Sequence, residues 1–290
     1  MAIYSLKNEI IDISVNSQGG ELVKTVKGGK DFLWNANPEF WGRTSPVLFP
    51  IVGTLAKGQY LVDDEAFSLP QHGFARDNEF SVYSKTNDEL WLQLTYTEAI
   101  KEVYPFDFDL FLGYKLDGKR LTVNWRVVNK DNKEIPFSIG AHPAFLATPL
   151  SDYHLEFYGA NELKTLNFDA KTGLIDLDKP LAKVIDSNVL PLNKELFEKF
   201  PTLIFENISQ IVLKSKNSSH QIAVNFPDFP YVGVWSPINS DDKIAPFICI
   251  EPWYGIADTS EKSGQLKDKV GIQILPIGET FEASYTITFD

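Results

Sequence analysis

Cysteine is almost missing from this chain: its 290 residues contain one, Cys249. An internal disulfide and a cysteine-rich zinc site are therefore excluded. Histidine is scarce as well, with four residues, so each can be weighed singly. No run of about eighteen apolar residues occurs, which excludes an ordinary membrane-spanning helix. Basic charge is in short supply: 27 Lys and Arg face 39 Asp and Glu, a net charge of −12. Such a surface is not suited to gripping a nucleic-acid backbone, and neither a nucleic-acid nor a membrane partner is expected. The first residues, Met1–Asp12, lack a basic stretch followed by an apolar one, so the expected compartment is the cytoplasm. Also missing are Gly-x-Gly-x-x-Gly, the P-loop, Gly-x-Ser-x-Gly and His-Glu-x-x-His, so no cofactor and no resident metal is expected. Low-complexity tracts and Gly/Ser linkers are absent too, and one domain over 1–290 is expected.

What is present is ordinary for a folded protein: 43% apolar and 23% charged residues, which sets disorder aside. Alternation with a period of two dominates. Leu90, Leu92, Leu94 and Tyr96 share one strand face, and Leu110, Leu112, Tyr114 and Leu116 share another. After a tight turn at Asp117-Gly118 the chain returns through Leu121, Val123, Trp125 and Val127, a strong hairpin signal. Phe281, Ala283, Tyr285, Ile287 and Phe289 repeat the pattern at the end. Further strands are expected over Glu9–Val15, Glu21–Val26, Ile211–Lys214, Gln221–Phe226, Tyr231–Trp235, Phe247–Glu251 and Gly271–Leu275.

Helical signals are few. Asn37-Pro38 opens one turn through Trp41, Thr97 caps a turn to Val103, and Asn193 caps a short helix carrying Leu196, Phe197 and Phe200. Strands joined by turns, without long helices between them, predict an all-β antiparallel sandwich. The acidic and polar stretch Asp169–Lys183 is expected to be a surface loop or irregular excursion.

His154 and His220 sit in polar, strand-edge surroundings and read as ordinary histidines. His72 is held between Pro70 and Gly73, and His142 ends an apolar run just before Pro143. Positions on loops and strand ends are where a rigid sheet presents functional groups. Glu251 closes the apolar strand Phe247–Ile250 and precedes Pro252-Trp253; it is either emerging into water or buried in a cleft, where a carboxylate needs a partner or a task. Arg43 lies between aromatics and an apolar segment, either on the surface stacked over Trp41 or in a site.

Taken together, five segments resemble the aldose 1-epimerase, or galactose mutarotase-like, family, particularly its bacterial LacX-type branch. They are Gln18-Gly19-Gly20-Glu21-Leu22, the stretch from Gly42 to Pro50, His72-Gly73-Phe74-Ala75-Arg76, Gly140-Ala141-His142-Pro143-Ala144-Phe145 and Ile250-Glu251-Pro252-Trp253, in family order across the whole chain. The resemblance implies a large antiparallel β-supersandwich with an open sugar cleft, exchanging the α and β anomers of an aldohexose without a cofactor. By motif match Glu251 is the general base, His142 the general acid, His72 a second histidine near the ring oxygen and Arg43 the substrate-binding arginine. Two departures stand out. Pro143-Ala144 replaces a Thr-Tyr type continuation, and the family's substrate-holding aspartate has no matching motif; Asp228, in Phe226-Pro227-Asp228-Phe229-Pro230, is carried as its candidate. Relatives acting on hexose 6-phosphates carry an arginine where this chain has Arg76, which with Arg43 could hold a phosphate.

The residue types suit the reaction. A base takes the anomeric proton, an acid protonates the ring oxygen, and each such group contributes roughly 10²–10⁴-fold. Trp235, Phe145 and Trp253 are candidates to pack on the sugar's apolar face. The expected partner is an aldohexose or hexose phosphate, and the expected state a monomer or homodimer. Two readings from other classes stand beside this one: a sugar-binding or regulatory protein without turnover, and a metal-dependent hydrolase using His72, His142 and Glu251.

Overall fold

A computed structural model describes residues 1–260 and 262–290. The alternating segments form antiparallel ladders. The hairpin pairs Phe108–Asp117 with Arg120–Asn129, register Leu112 to Trp125, and its two-residue loop is Gly118-Lys119. On both strands the inward apolar set is buried: Leu110, Leu112, Tyr114 and Leu116 against Leu121, Val123, Trp125 and Val127. This hairpin lies inside a nine-stranded sheet. Its order runs from Val189–Pro191 through Tyr153–Tyr158, Gln210–Ser215, Gln221–Asn225, Thr280–Phe289, Arg120–Asn129, Phe108–Asp117 and Glu89–Thr95 to Ser81–Lys85.

A second, six-stranded sheet carries the segments singled out for chemistry. Its order is Leu203–Glu206, Tyr231–Trp235, Phe247–Tyr254, Ile139–Ala141 and Val47–Leu48, with Ala144–Leu146 also pairing to Phe247–Tyr254. The two sheets share one apolar core. Val232, Val234, Ile248 and Ile250 from the second pack in the same cluster as Leu110, Leu112, Val123 and Ile287 from the first. A four-stranded sheet, Ile3–Lys7, Ile11–Asn16, Leu22–Lys27 and Lys30–Asp31, adds Leu6, Ile13 and Leu22 to that cluster.

Helix is confined to short pieces with the expected caps. Thr97 Oγ1 accepts from Ile100 N at 3.2 Å to open Glu98–Lys101, and Asn193 Oδ1 accepts from Leu196 N at 2.8 Å to open Lys194–Lys199. Asn37 supports a single hydrogen-bonded turn, with Trp41 N donating to its carbonyl at 3.2 Å. No helix among the described residues is long and apolar enough to cross a membrane.

Two expectations need correction. The Phe247 strand does not end at Glu251 but continues to Tyr254. Asp169–Lys183 is not an idle excursion either. Asn167–Asp169 pairs with Leu174–Asp176 as a hairpin, and the following strand Ala182–Ile185 pairs back onto Leu163–Thr165.

Candidate active site

The site grows from one irregularity in the six-stranded sheet. Phe247–Tyr254 pairs with Ala144–Leu146 over its first half and with Ile139–Gly140 over its second. Between these, the partner strand breaks at His142-Pro143, opposite Ile250-Glu251. A proline cannot donate to a ladder and is tolerated where pairing is interrupted. The break therefore brings His142 beside Glu251, with Nε2 3.1 Å from Oε2.

Strand alternation decides which residues face the cleft. Ile248 and Ile250 go into the main core, so Cys249, Glu251 and Trp253 take the opposite face, where Glu251 and Trp253 line the cleft and Cys249 is buried in an apolar cluster with Trp34 and Phe247. The cross-strand neighbours of Cys249, Glu251 and Trp253 are Trp235, Gly233 and Tyr231. Gly233 is required there: a Cβ would stand 2.5 Å from the Trp253 ring, and one on Gly140 would stand 2.7 Å from it. Trp253 thus lies flat over two strands as the cleft floor.

His72 arrives from a tight loop. Its own φ is +67° and that of Gly73 is +70°, left-handed conformations that cost a non-glycine residue energy. The loop is pressed onto the Phe49 strand, where a Cβ on Gly73 would meet the Phe49 carbonyl oxygen at 2.3 Å. The backbone N of His72 donates to Gly53 O at 2.9 Å, and Gly53 N donates to His72 Nδ1 at 3.1 Å. With Nδ1 accepting, the neutral ring carries its proton on Nε2.

The cleft occupies about 450 Å³ and is lined by Trp41, His72, Arg76, His142, Trp235, Glu251 and Trp253, among others. Gln71 and Thr54 add polar groups, and Phe168, Ala170 and Gly173 of the Asn167–Asp176 hairpin form a wall. Trp41 stacks on His142 with ring centroids 4.6 Å apart, and Trp235 meets the same ring edge-on at 5.5 Å. The Trp34 indole N–H donates to the Trp41 carbonyl at 2.8 Å and fixes this cover.

These surroundings pull the two catalytic candidates in opposite directions. Glu251 is 1% exposed, and burial raises its carboxyl well above the usual range. Burial lowers His142 to about 3, with Arg76 and Arg43 pushing the same way. Their 3.1 Å contact is not aligned as a hydrogen bond, and Glu251 Oε2 and His142 Nδ1 have no hydrogen-bond partner among the described residues. His72 is also held well below its ordinary value, by burial and then by His142 and the nearby cations, so it stays a neutral donor.

The arginines divide. Arg76 lines the cleft; its Nη2 donates to the Gln71 carbonyl at 2.5 Å, and its Nε, 3.8 Å from Asp77 Oδ2, has no hydrogen-bond partner among the described residues. Arg43 does not line it. Its guanidinium donates to Asp77 Oδ1 at 2.7 Å, and Trp41 stacks on His142 rather than on this arginine. Arg43 stays near enough to depress both histidines. Glu21, whose role was not foreseen, is a buried carboxylate whose Oε1 accepts from Thr44 N and Ser45 N, each at 2.7 Å, anchoring the segment that carries Arg43.

Asp228 lies elsewhere. It is exposed and borders a different groove with Trp91, Arg126 and Tyr254, because the Phe226–Phe229 turn leaves the sheet on another side. Phe145 is fully buried in the core and is not a sugar platform. His154 and His220 are outside the cleft, one 3.4 Å from Glu156 and the other packed on Phe32.

The sequence profile described as aldose 1-epimerase matches residues 2–271. The protein LacX of Lactococcus lactis subsp. lactis, in its chromosomal form, is 32% identical over 298 residues, covering 98% of each chain. Among solved structures, a galactose mutarotase related enzyme from Lactobacillus acidophilus superposes with a TM-score of 0.92 at 31% identity, covering 100% of this chain and 97% of its own. A galactose mutarotase-like protein from Lactobacillus casei gives the same TM-score at 27% identity, with both chains fully covered.

Proposed function

We propose, from the premise that this chain belongs to the aldose 1-epimerase family, that it exchanges the anomers of an aldohexose by general acid–base ring opening. The observation that carries this reading is the Glu251–His142 pair at 3.1 Å on the cleft floor, its two members shifted in opposite directions. Groups whose surroundings drive their pKa values apart mark an acid and a base.

The pair works with one shared proton. In the form that opens the ring, Glu251 is a carboxylate and His142 an imidazolium. Glu251 takes the proton from the anomeric hydroxyl while His142 gives its proton to the ring oxygen, and the C1–ring oxygen bond breaks to leave a C1 aldehyde. The pair is then a carboxylic acid beside a neutral imidazole, the state that burial favours. Both shifts therefore add driving force to opening. After rotation about C1–C2, closure runs the same transfers backwards onto the other face. His72, with Nε2–H free to point into the cleft, is placed to hold the ring oxygen or a neighbouring hydroxyl. Trp253 and Trp235 offer apolar faces to the pyranose.

Exchange of freshly dissolved α-glucose and α-galactose, followed by polarimetry, tests this reading. Exchange faster than buffer supports it. Saturable binding without exchange would select a sugar-binding protein instead, and neither would reject both. A second reading, preference for hexose 6-phosphates, is favoured by the Arg76 guanidinium in the cleft, whose Nε makes no hydrogen bond among the described residues and only a 3.8 Å contact with Asp77. The same assay run with 6-phosphates separates the two.

A further inference from the structure

We propose that the cleft floor also holds a soft divalent cation, of the zinc type, between His142, Cys249 and Glu251, and that this ion shuts off the exchange. A ring nitrogen, the thiol sulfur and a carboxylate oxygen of these three buried residues lie within 4.8 Å of one another. Zinc bonds of about 2.0–2.3 Å to N, O and S place tetrahedral ligand atoms roughly 3.3–3.8 Å apart, so side-chain shifts of about 1 Å close the site. Cys249 and Glu251 project from the same face of one strand, two residues apart, and His142 reaches them from the strand break.

The chain's one cysteine, standing alone, would be an ordinary buried thiol. What distinguishes it is the company of Glu251 Oε2 and His142 Nδ1, both buried and both lacking a hydrogen-bond partner among the described residues. The charge balance also closes. The ion displaces one proton from the thiol and one from the Glu251–His142 pair, giving a dication bound by two anions and a neutral imidazole. That complex is neutral overall and suits a buried floor better than either anion alone. Three protein ligands leave a fourth coordination position for water or a sugar hydroxyl. Since ligation consumes both the base and the acid, a bound ion and turnover exclude each other. Binding strengthens as pH rises, because protons leave.

The inhibitory half of this proposal rests on the epimerase reading; the binding half does not. Titration of the apo protein with Co²⁺ is the first experiment, since a thiolate ligand gives a near-ultraviolet charge-transfer band. With one cysteine in the chain, that band can come only from Cys249. The expected result is a band saturating at one equivalent, lost in Cys249→Ser and Cys249→Ala and weakened in Glu251→Gln. The second experiment is Zn²⁺ inhibition of anomer exchange. Cys249→Ala and Cys249→Ser should keep basal exchange and lose Zn²⁺ sensitivity by at least the roughly 10–100-fold that even an outer partner of a metal ligand is worth. Absence of a thiolate band in the folded wild type, or unchanged Zn²⁺ inhibition in both cysteine variants, overturns the site. A saturating band in a protein that exchanges no sugar supports the site and overturns the proposed function.

Discussion

His142 Nε2 and Glu251 Oε2 stand 3.1 Å apart without being aligned for a hydrogen bond to each other. Each is thus close enough to share a proton yet directed at the space between them and the cleft. Removing either member should stall one and the same step. Glu251→Gln and His142→Asn are each expected to lower turnover by roughly 10²–10⁴-fold. The double variant should be little worse than the poorer single, because groups acting as a unit are not additive. Sugar affinity, measured by calorimetry, should change far less. A folded Glu251→Gln protein exchanging anomers at the wild-type rate would place the base elsewhere.

The pH profile follows from the proton count of the pair. Activity needs one proton on the two groups together. With both protonated, Glu251 cannot accept; with both deprotonated, His142 cannot donate. The acidic limb belongs to the depressed histidine and should lie far below 6.5, towards about 3, while the alkaline limb belongs to the raised carboxyl. Trp41 covers one face of the imidazole. Trp41→Ala lets water reach that face, so the acidic limb should move upward towards the ordinary histidine range. A limb unmoved by Trp41→Ala would show that another group controls it.

Much of this arrangement was legible in the sequence, for a physical reason. Period-two patterning is local, so the hairpin around Gly118 and the strand over Tyr231–Trp235 could be read directly. Motif order also brought His72, His142, Glu251 and Arg76 forward, Trp235 was picked as an aromatic that could pack on a sugar, and these five share one cleft. What could not be read depends on contacts between distant segments. Trp41 meets His142 across about a hundred residues of chain, and nothing near either residue signals it. The Phe168 hairpin becomes a cleft wall only because the following strand pairs back onto Leu163–Thr165. Asp228 sat in a suggestive Pro-Asp-Phe-Pro setting, but its turn leaves the sheet away from the site. A weak signal did exist for the floor: glycines at 140 and 233 inside apolar strands are where a large ring can lie against the backbone.

Arg76 should decide between free and phosphorylated sugars. It lines the cleft, with its Nε 3.8 Å from Asp77 Oδ2 while Arg43 holds the other oxygen of that carboxylate at 2.7 Å. A hexose 6-phosphate reaching this guanidinium would gain charge-assisted hydrogen bonds of about 1.5–3 kcal/mol. Arg76→Ala should then weaken the phosphorylated sugar by roughly 10–100-fold and leave the free hexose almost unchanged. Rising salt should reduce the same preference. Equal affinity for both sugars in wild type and variant would remove the phosphate reading.

Glu251 should also cost the protein stability in a pH-dependent way, and the sign can be worked out. Its carboxyl is buried and held well above its ordinary value of 4.5, so the folded state keeps a proton that the unfolded chain has released. Above the unfolded value the native state therefore binds more protons than the unfolded state, and stability falls as pH rises, until the folded value is reached. Glu251→Gln removes this term while keeping the shape and a hydrogen-bonding amide. The variant should melt higher than wild type, and its advantage should widen as pH rises above about 5. His142 does not mask the effect. Its own depressed value removes stability as pH falls below the ordinary histidine range in both proteins alike, so it cancels in the comparison. The variant should thus be more stable and nearly inactive at once, the trade expected where a charged group is buried for chemistry rather than for folding. Paired melting curves across this range provide the measurement. A Glu251→Gln protein that melts lower than wild type at every pH, or whose difference from wild type does not grow with pH, would mean that the carboxylate is ionised and well compensated in the fold. The raised carboxyl assigned to Glu251 would then be wrong, and with it the shared-proton resting state of the pair.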